Sequence, residues 1–167
     1  MHGGDPFAVP EGARSPLRRL RGRLPAAVTL WTARGGTGGP VGLTVSSTLV
    51  VDGDPGHVLG LVDEESDLWT AVRAGGVFTV APLRAVDKRL ADRFAGLMPA
   101  PGGPFRGYEW RDTDHGPVLA GLDTWAGCRL DDARPLGWSL LVSATVEHIE
   151  IGPGEVDPLV HYRGGYR

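Results

Sequence analysis

Short runs of alternating apolar and polar residues predict a chain built mainly of β-strands. Residues 28–32 alternate apolar and hydroxyl side chains, as a half-buried strand does. Seven further runs have the length and apolar content of strands: 41–51, 57–62, 77–83, 108–111, 118–130, 137–151 and 159–162. Clusters of glycine and proline separate these runs, which is typical of strands joined by tight turns.

Three segments carry apolar residues at helical spacing instead. They are Leu17, Leu20 and Leu24; Leu68, Trp69 and Val72; and Val86, Leu90 and Phe94. Ser15 and Ser66 stand before the first two segments, where a hydroxyl caps a helix. Residues 1–13 are rich in glycine and proline and are predicted to be a loose tail, followed by one domain over residues 14–167.

The charge of the chain narrows the classes of partner. The formal net charge is −3 and no long basic run occurs, which argues against a nucleic-acid or an anionic-membrane partner. One basic cluster is predicted to be the solvated face of the first helix, with a binding patch as the alternative, and its members are Arg14, Arg18, Arg19, Arg21 and Arg23.

The cysteine count, the histidine spacing and the missing motifs narrow the cellular compartment and the kinds of site that are expected. Cys128 is the single cysteine, so a disulfide within the chain is impossible and a reducing compartment is expected. With neither a signal-peptide pattern nor a membrane-spanning run, the sequence predicts a cytoplasmic protein without a membrane partner. The five histidines lack metal-ligand spacing, so no metal site is predicted. No Gly-x-Gly-x-x-Gly motif opens a helix, so a Rossmann-type nicotinamide site is not expected.

Several sequence segments in a fixed order carry a family resemblance. They are Gly-Leu-Thr-Val-Ser-Ser from Gly42, Phe-Thr-Val from Phe78, Leu-Ala-Asp-Arg-Phe-Ala from Leu90, Pro-Val-Leu-Ala-Gly from Pro117, and the closing Pro-Leu-Val-His-Tyr-Arg-Gly-Gly-Tyr from Pro158. In this order they resemble the flavin reductase-like, FMN-binding split-barrel family. The resemblance covers about residues 17–167. It implies a mainly β fold, an antiparallel split β-barrel with a few helices.

The resemblance also implies where a flavin binds. The isoalloxazine ring has polar atoms along one edge, and a run of small residues brings backbone and hydroxyl donors close to that edge. The candidate residues for the ring edge are Thr44, Val45, Ser46, Ser47 and Thr48. The flavin phosphate is expected near the turn that holds Asp63 and Ser66, with Arg84 and Arg93 as compensating charges. A plain helix cap remains the alternative for Ser66.

Two positions are candidates for contacting the reacting rings. Trp138 stands where many relatives have a histidine near the nicotinamide, and its flat indole suits stacking on a flavin or nicotinamide face. A core or dimer-interface aromatic is the alternative for Trp138. His161, in the closing signature, is the second candidate, with a surface histidine as its alternative. Val50 and Asp52 replace two serines of the family pattern that usually contact the ribityl and phosphate groups.

The resemblance implies an oxidoreductase that passes a hydride from NAD(P)H to FMN, or to FAD as the alternative flavin. It also implies a homodimer and a flavin-dependent monooxygenase as the partner enzyme. Two other functions stay open: a non-catalytic flavin-binding or flavin-storing homodimer, and a split-barrel oxidoreductase using another cofactor such as a deazaflavin or haem.

Overall fold

The computed structural model describes residues 11–37 and 39–167. Its helices are α1 (Pro16–Gly22), α2 (Asp67–Gly75) and α3 (Lys88–Phe94), with 3₁₀ turns at Glu11–Ala13 and Ala85–Asp87. Its strands are β1 (Ala26–Ala27), β2 (Thr29–Ala33), β3 (Val41–Val45), β4 (Leu49–Val51), β5 (His57–Val62), β6 (Val77–Pro82), β7 (Trp110–Thr113), β8 (Gly116–Leu119), β9 (Trp125–Leu136), β10 (Ser139–Glu150), β11 (Val160–Tyr162) and β12 (Gly165–Tyr166).

Seven strands form one antiparallel sheet in the order β3-β2-β6-β9-β10-β5-β4. The two outermost strands, β3 and β4, are not hydrogen-bonded to each other within the described residues, so the curled sheet stays open along one side. Two small sheets, β1-β11-β12 and β7-β8, accompany it. The predicted fold class, a mainly antiparallel split barrel with few helices, is confirmed.

The largest fully buried side chain among the described residues is an indole in the barrel core. Trp31 on β2 is fully buried and stacks on Phe78 of β6, with ring centroids 4.8 Å apart. A Cβ atom added at Gly60 on β5 would lie 2.5 Å from the Trp31 ring. Strands β2 and β5 are not neighbours in the sheet, so the indole reaches across the barrel and requires glycine on the opposite wall.

A second apolar cluster attaches α3 to the other side of β2 and β3. Leu90 and Phe94 are buried there, and the Phe94 ring meets Phe105 edge-on at 4.8 Å. The Thr44 hydroxyl donates a hydrogen bond of 2.7 Å to the Ala91 carbonyl. Helix α3 therefore lies directly on β3.

Three sequence predictions differ from the structure in detail. The strand predicted over 41–51 is interrupted at 46–48, because the hydroxyls of Ser47 and Thr48 bond to β5 and β2 rather than project from a ladder. The strand predicted over 118–130 is divided by a turn into β8 and β9. Val86 is exposed rather than aligned with Leu90, because the chain begins there as a 3₁₀ turn. The tail predicted over 1–13 lies mostly outside the described residues.

Cys128 of β9 is fully buried in the barrel wall. Burial, with a smaller contribution from the nearby Glu147 carboxylate, raises the pKa of its thiol to about 12. Within the described ranges, none of the helices has the length and apolar content to cross a membrane.

The contact between Gly60 and Trp31 gives a test of the packing. We expect Gly60→Ala to lower the free energy of unfolding by about 1–3 kcal/mol, because a stacked, fully buried indole has no room to yield to the new methyl group. Urea denaturation measures this. Gly75→Ala is the matched control, since nothing lies within 4 Å of a Cβ atom there. Equal stability of the two variants would show that the indole can move.

Candidate functional site

The loop of residues 46–48 is fixed on both sides by side-chain hydrogen bonds. Trp31 donates its indole N–H to the Thr48 hydroxyl at 3.1 Å, and the hydroxyls of Thr29 and Thr48 bond to each other at 2.7 Å. On the other side, the Ser47 hydroxyl accepts from the Leu61 N–H at 2.9 Å and donates to the Leu61 carbonyl at 3.1 Å. The loop thus bridges β2 and β5 across the open side of the barrel.

Among the five predicted ring-edge residues, Ser46 is placed best to meet a ligand. Thr44, Ser47 and Thr48 bond to the protein itself, and Val45 is buried. The half-buried Ser46 side chain has no hydrogen-bond partner among residues 11–37 and 39–167. The β2–β3 ladder ends at Val45 and the β4–β5 ladder begins at Leu49. The three loop residues therefore stand outside both ladders.

The structure brings the acidic turn of residues 63–66 next to this loop. Ser47 bonds to Leu61, and Asp63 follows the last residue of β5. Within the turn, Ser66 donates its hydroxyl to the Asp63 carbonyl at 2.7 Å and accepts from the Trp69 N–H at 3.2 Å. The Asp63 carboxylate accepts from the Glu65 N–H at 2.9 Å. Both predicted phosphate-end side chains are thus engaged in forming the turn, and Ser66 caps α2.

Within residues 11–37 and 39–167, no ion pair compensates the charge of the acidic turn. Glu64, Glu65 and Asp67 are exposed and form no ion pair within the part of the chain that the structure describes. Three exposed carboxylates beside Asp63 repel a dianionic phosphate. The phosphate end therefore does not fit a flavin phosphate as well as the loop fits the ring edge.

The structure engages the two predicted compensating arginines elsewhere. Arg84 forms a bidentate pair with Asp87 at 2.8 and 2.9 Å, and this hydrogen bonding raises the pKa of its guanidinium. Arg93 donates to the carbonyls of Gly103 and Arg106 at 3.3 and 3.1 Å. Each arginine therefore stabilises a loop, and neither makes a described contact with the acidic turn.

Trp138 and the acidic turn lie at the same end of the pair of strands β5 and β10. Leu140, two residues after Trp138, pairs with Val62, and Val62 is followed by Asp63. The Trp138 side chain is 96% exposed at the tip of the β9–β10 hairpin, next to Gly137 with its φ of 59°. The interpretation of Trp138 as a core residue is wrong, because a hairpin tip has no element packed over it.

His161 lies on a different sheet from Trp138. It pairs with Ala26 on β1 and meets Tyr166 edge-on at 5.5 Å. Burial lowers the pKa of the imidazole, and the charges of Arg21 and Arg14 lower it further. No described contact joins His161 to Trp138 or to the loop of residues 46–48.

The sequence did not reveal the two side chains on β2 that hold the loop, those of Thr29 and Trp31. Both belong to a run whose alternation predicts a plain strand, and their partner Thr48 is 17 to 19 positions away. No local pattern records such a contact, because it depends on how the sheet curls.

Comparison with known proteins identifies the family of this chain. The model of the flavin reductase like domain matches residues 21–167. FMN reductase (NADH) RutF 2 from Methylorubrum extorquens is 33% identical over 148 residues, which are 88% of this chain and 83% of that protein. The name of that protein states NADH-dependent FMN reduction, which is the activity that the sequence resemblance implied.

Solved structures of similar fold include a homolog of nitrilotriacetate monooxygenase component B from Mycobacterium thermoresistibile. It has a TM-score of 0.80 and 31% identity, covering 90% of this chain and 83% of that one. The NADH:FAD oxidoreductase SgcE6 of Streptomyces globisporus has a TM-score of 0.79 and 25% identity, covering 90% of each chain. With a family model matching nearly its whole length, this chain belongs to the flavin reductase-like domain family.

Proposed function

We propose that the protein is an NADH-dependent flavin reductase that binds FMN with the ring edge along the loop of residues 46–48. The observation that carries the proposal is this loop, which the buried Trp31 holds in place and which leaves Ser46 without a partner among the described residues. A fixed loop of donors is preorganised for a ligand and loses little entropy on binding. The names of the similar proteins support the activity.

The chain's own residues would orient the rings rather than supply an acid or base. FMN, when bound, provides the hydride acceptor for NADH. Ser46 and the backbone of the loop would donate hydrogen bonds to the polar ring edge, while Val45 closes the barrel beneath the loop. His161 would meet the substrate as a neutral imidazole, since burial lowers its pKa. FAD is the alternative flavin, supported by the Streptomyces globisporus relative.

The setting of the enzyme is also part of the proposal. We expect residues 14–167 to act as a single domain in the cytoplasm, where a free cysteine such as Cys128 is usual. A flavin-dependent monooxygenase is the expected partner, because one similar structure is a homolog of a monooxygenase component.

A homodimer is supported by an apolar surface on the outside of the barrel. Leu49 on β4 is 63% exposed and Leu61 on β5 is 38% exposed. The register pairs Leu49 with Leu59 and Leu61 with Leu141, so these leucines share the outer face. Contiguous exposed apolar area of this kind marks an interaction surface, and a two-fold dimer is the commonest way to cover it.

The activity is tested by mixing the purified protein with FMN and NADH and following the loss of NADH absorbance. We expect turnover that depends on added FMN, with co-eluting flavin absorbance after gel filtration. Flavin binding without NADH oxidation would instead identify a flavin-storing protein. NADH oxidation that is supported by FAD but not by FMN would identify FAD as the flavin used.

The proposed position of the ring edge is tested at Ser46. We expect Ser46→Leu to raise the Kd for FMN at least tenfold, about 1.4 kcal/mol, because the larger side chain blocks the loop donors. Quenching of flavin fluorescence measures the Kd. Thr70→Leu, at an exposed position on α2, is the control and should bind FMN as the native protein does. Unchanged affinity in Ser46→Leu would place the ring elsewhere.

We assign Trp138 to the dimer interface, since its side chain is 96% exposed and no described part of its own chain holds it against a ring. The native protein should have twice the 17.7 kDa chain mass by light scattering. Trp138→Ala should raise the dimer Kd about tenfold, because it removes a large apolar contact. Val86→Ala, at another exposed position, should not change the Kd. Lost NADH turnover with an unchanged mass would contradict this assignment and favour stacking on the rings.

A further inference from the structure

Helix α1 carries an apolar stripe that no described part of its own chain covers. Leu17 and Leu20 are 75% and 59% exposed, and Leu24 just beyond the helix is 60% exposed. The spacing of these leucines places them on one side. The helix has seven residues and none of them is buried. A helix this short is marginal in water, so a surface that covers its leucines would stabilise it.

The polar side of α1 is strongly basic. Arg18, Arg19 and Arg21 are exposed. Arg18 and Arg19 form no ion pair with any residue in 11–37 or 39–167. The helix thus presents uncompensated positive charge beside an apolar stripe.

The surface around the acidic turn has the complementary composition. Glu64, Glu65 and Asp67 are exposed carboxylates without an ion pair in the described residues. Trp138 lies at the same end of β5 and β10 as this turn, since Leu140 pairs with Val62, and its indole is 96% exposed. The surface at the turn combines an apolar indole with negative charge, and α1 combines apolar leucines with positive charge. The two surfaces are therefore complementary, and their opposite charges favour this pairing over others.

We propose that α1 of each protomer docks on the acidic turn and Trp138 of its partner in the homodimer. In a two-fold dimer this contact occurs twice. Helix α1 of the first protomer lies on the turn of the second, and α1 of the second lies on the turn of the first. Both copies of α1 and both acidic turns are then covered at once. The docking surface lies next to the outer leucines of β4 and β5, so it continues the dimer surface described above.

The docked helix would also complete the flavin site, and this part of the inference rests on the proposed function. The acidic turn lies where the FMN phosphate is expected, yet Arg84 and Arg93 are engaged elsewhere. The arginines on the docked α1 of the second protomer would offset the carboxylates there. Charges within the Debye length of about 8 Å at physiological salt act on the phosphate without direct contact.

Charge reversal tests the docking. Sedimentation equilibrium, without flavin, would measure the dimer Kd of Arg18→Glu/Arg19→Glu and of Glu64→Lys/Glu65→Lys. We expect each variant alone to have a dimer Kd at least tenfold above that of the native protein, because like charges then face each other in both contacts. Lys88→Glu/Arg89→Glu is the matched control, a neighbouring basic pair exposed on α3. Its Kd should equal the native value.

Mixing the two variants separates docking between protomers from docking within one chain. In a mixed dimer, one contact pairs the glutamates introduced on α1 by the first variant with the lysines introduced in the turn by the second, and the other contact is native. We therefore expect the equimolar mixture to form dimers with the native Kd. Weak association in the mixture, or native Kd values for both variants alone, would overturn the proposal.

Flavin binding is read separately on the same samples. We expect the Arg18→Glu/Arg19→Glu variant to bind FMN at least tenfold more weakly than the native protein, with recovery in the mixture. If the native protein binds no FMN, the proposed function fails while sedimentation still decides the docking. If FMN affinity is native in every dimeric state, the docked arginines do not act on the flavin.

Discussion

The position of Trp31 inside the barrel is the constraint on which the rest of the structure depends. Its ring stacks on Phe78, needs the bare backbone of Gly60 opposite, and donates its N–H to Thr48. Rotating the indole would break all three contacts in a closely packed interior. Core packing therefore fixes the position of the loop of residues 46–48. The geometry of the candidate ring site depends on this packing more than on the loop's own sequence.

The two ends of the proposed flavin site differ in how they are built. The ring end is formed by neutral groups fixed on β2 and β5, whereas the phosphate end is a turn whose own groups satisfy one another. Carboxylates beside a dianion weaken its binding. The proposed site would hold a flavin more firmly by its ring than by its phosphate, which suits the release of reduced flavin to the proposed partner enzyme.

The regular parts of the fold were predictable because their signal is local. Alternation located β2, and the length and apolar content of a run located β5, each to within a residue or so. Ser66 proved to be a helix cap, as its sequence alternative stated. The break at 46–48 was not predictable, since it depends on hydroxyl contacts with distant strands. The exposure of Trp138 could not be predicted from the sequence either, because a tryptophan is more often buried than exposed at the tip of a hairpin.

The burial of Cys128 affects how well the protein resists oxidation. Reduced flavin reacts with oxygen to form peroxide, so a flavin reductase works close to an oxidant. Peroxide attacks the thiolate rather than the thiol, and a pKa of about 12 keeps this sulfur protonated at neutral pH. As the chain has no other cysteine, it offers peroxide no reactive thiolate and two protomers cannot become cross-linked through sulfur while they are folded. The barrel wall thus protects the enzyme from a by-product of its own chemistry.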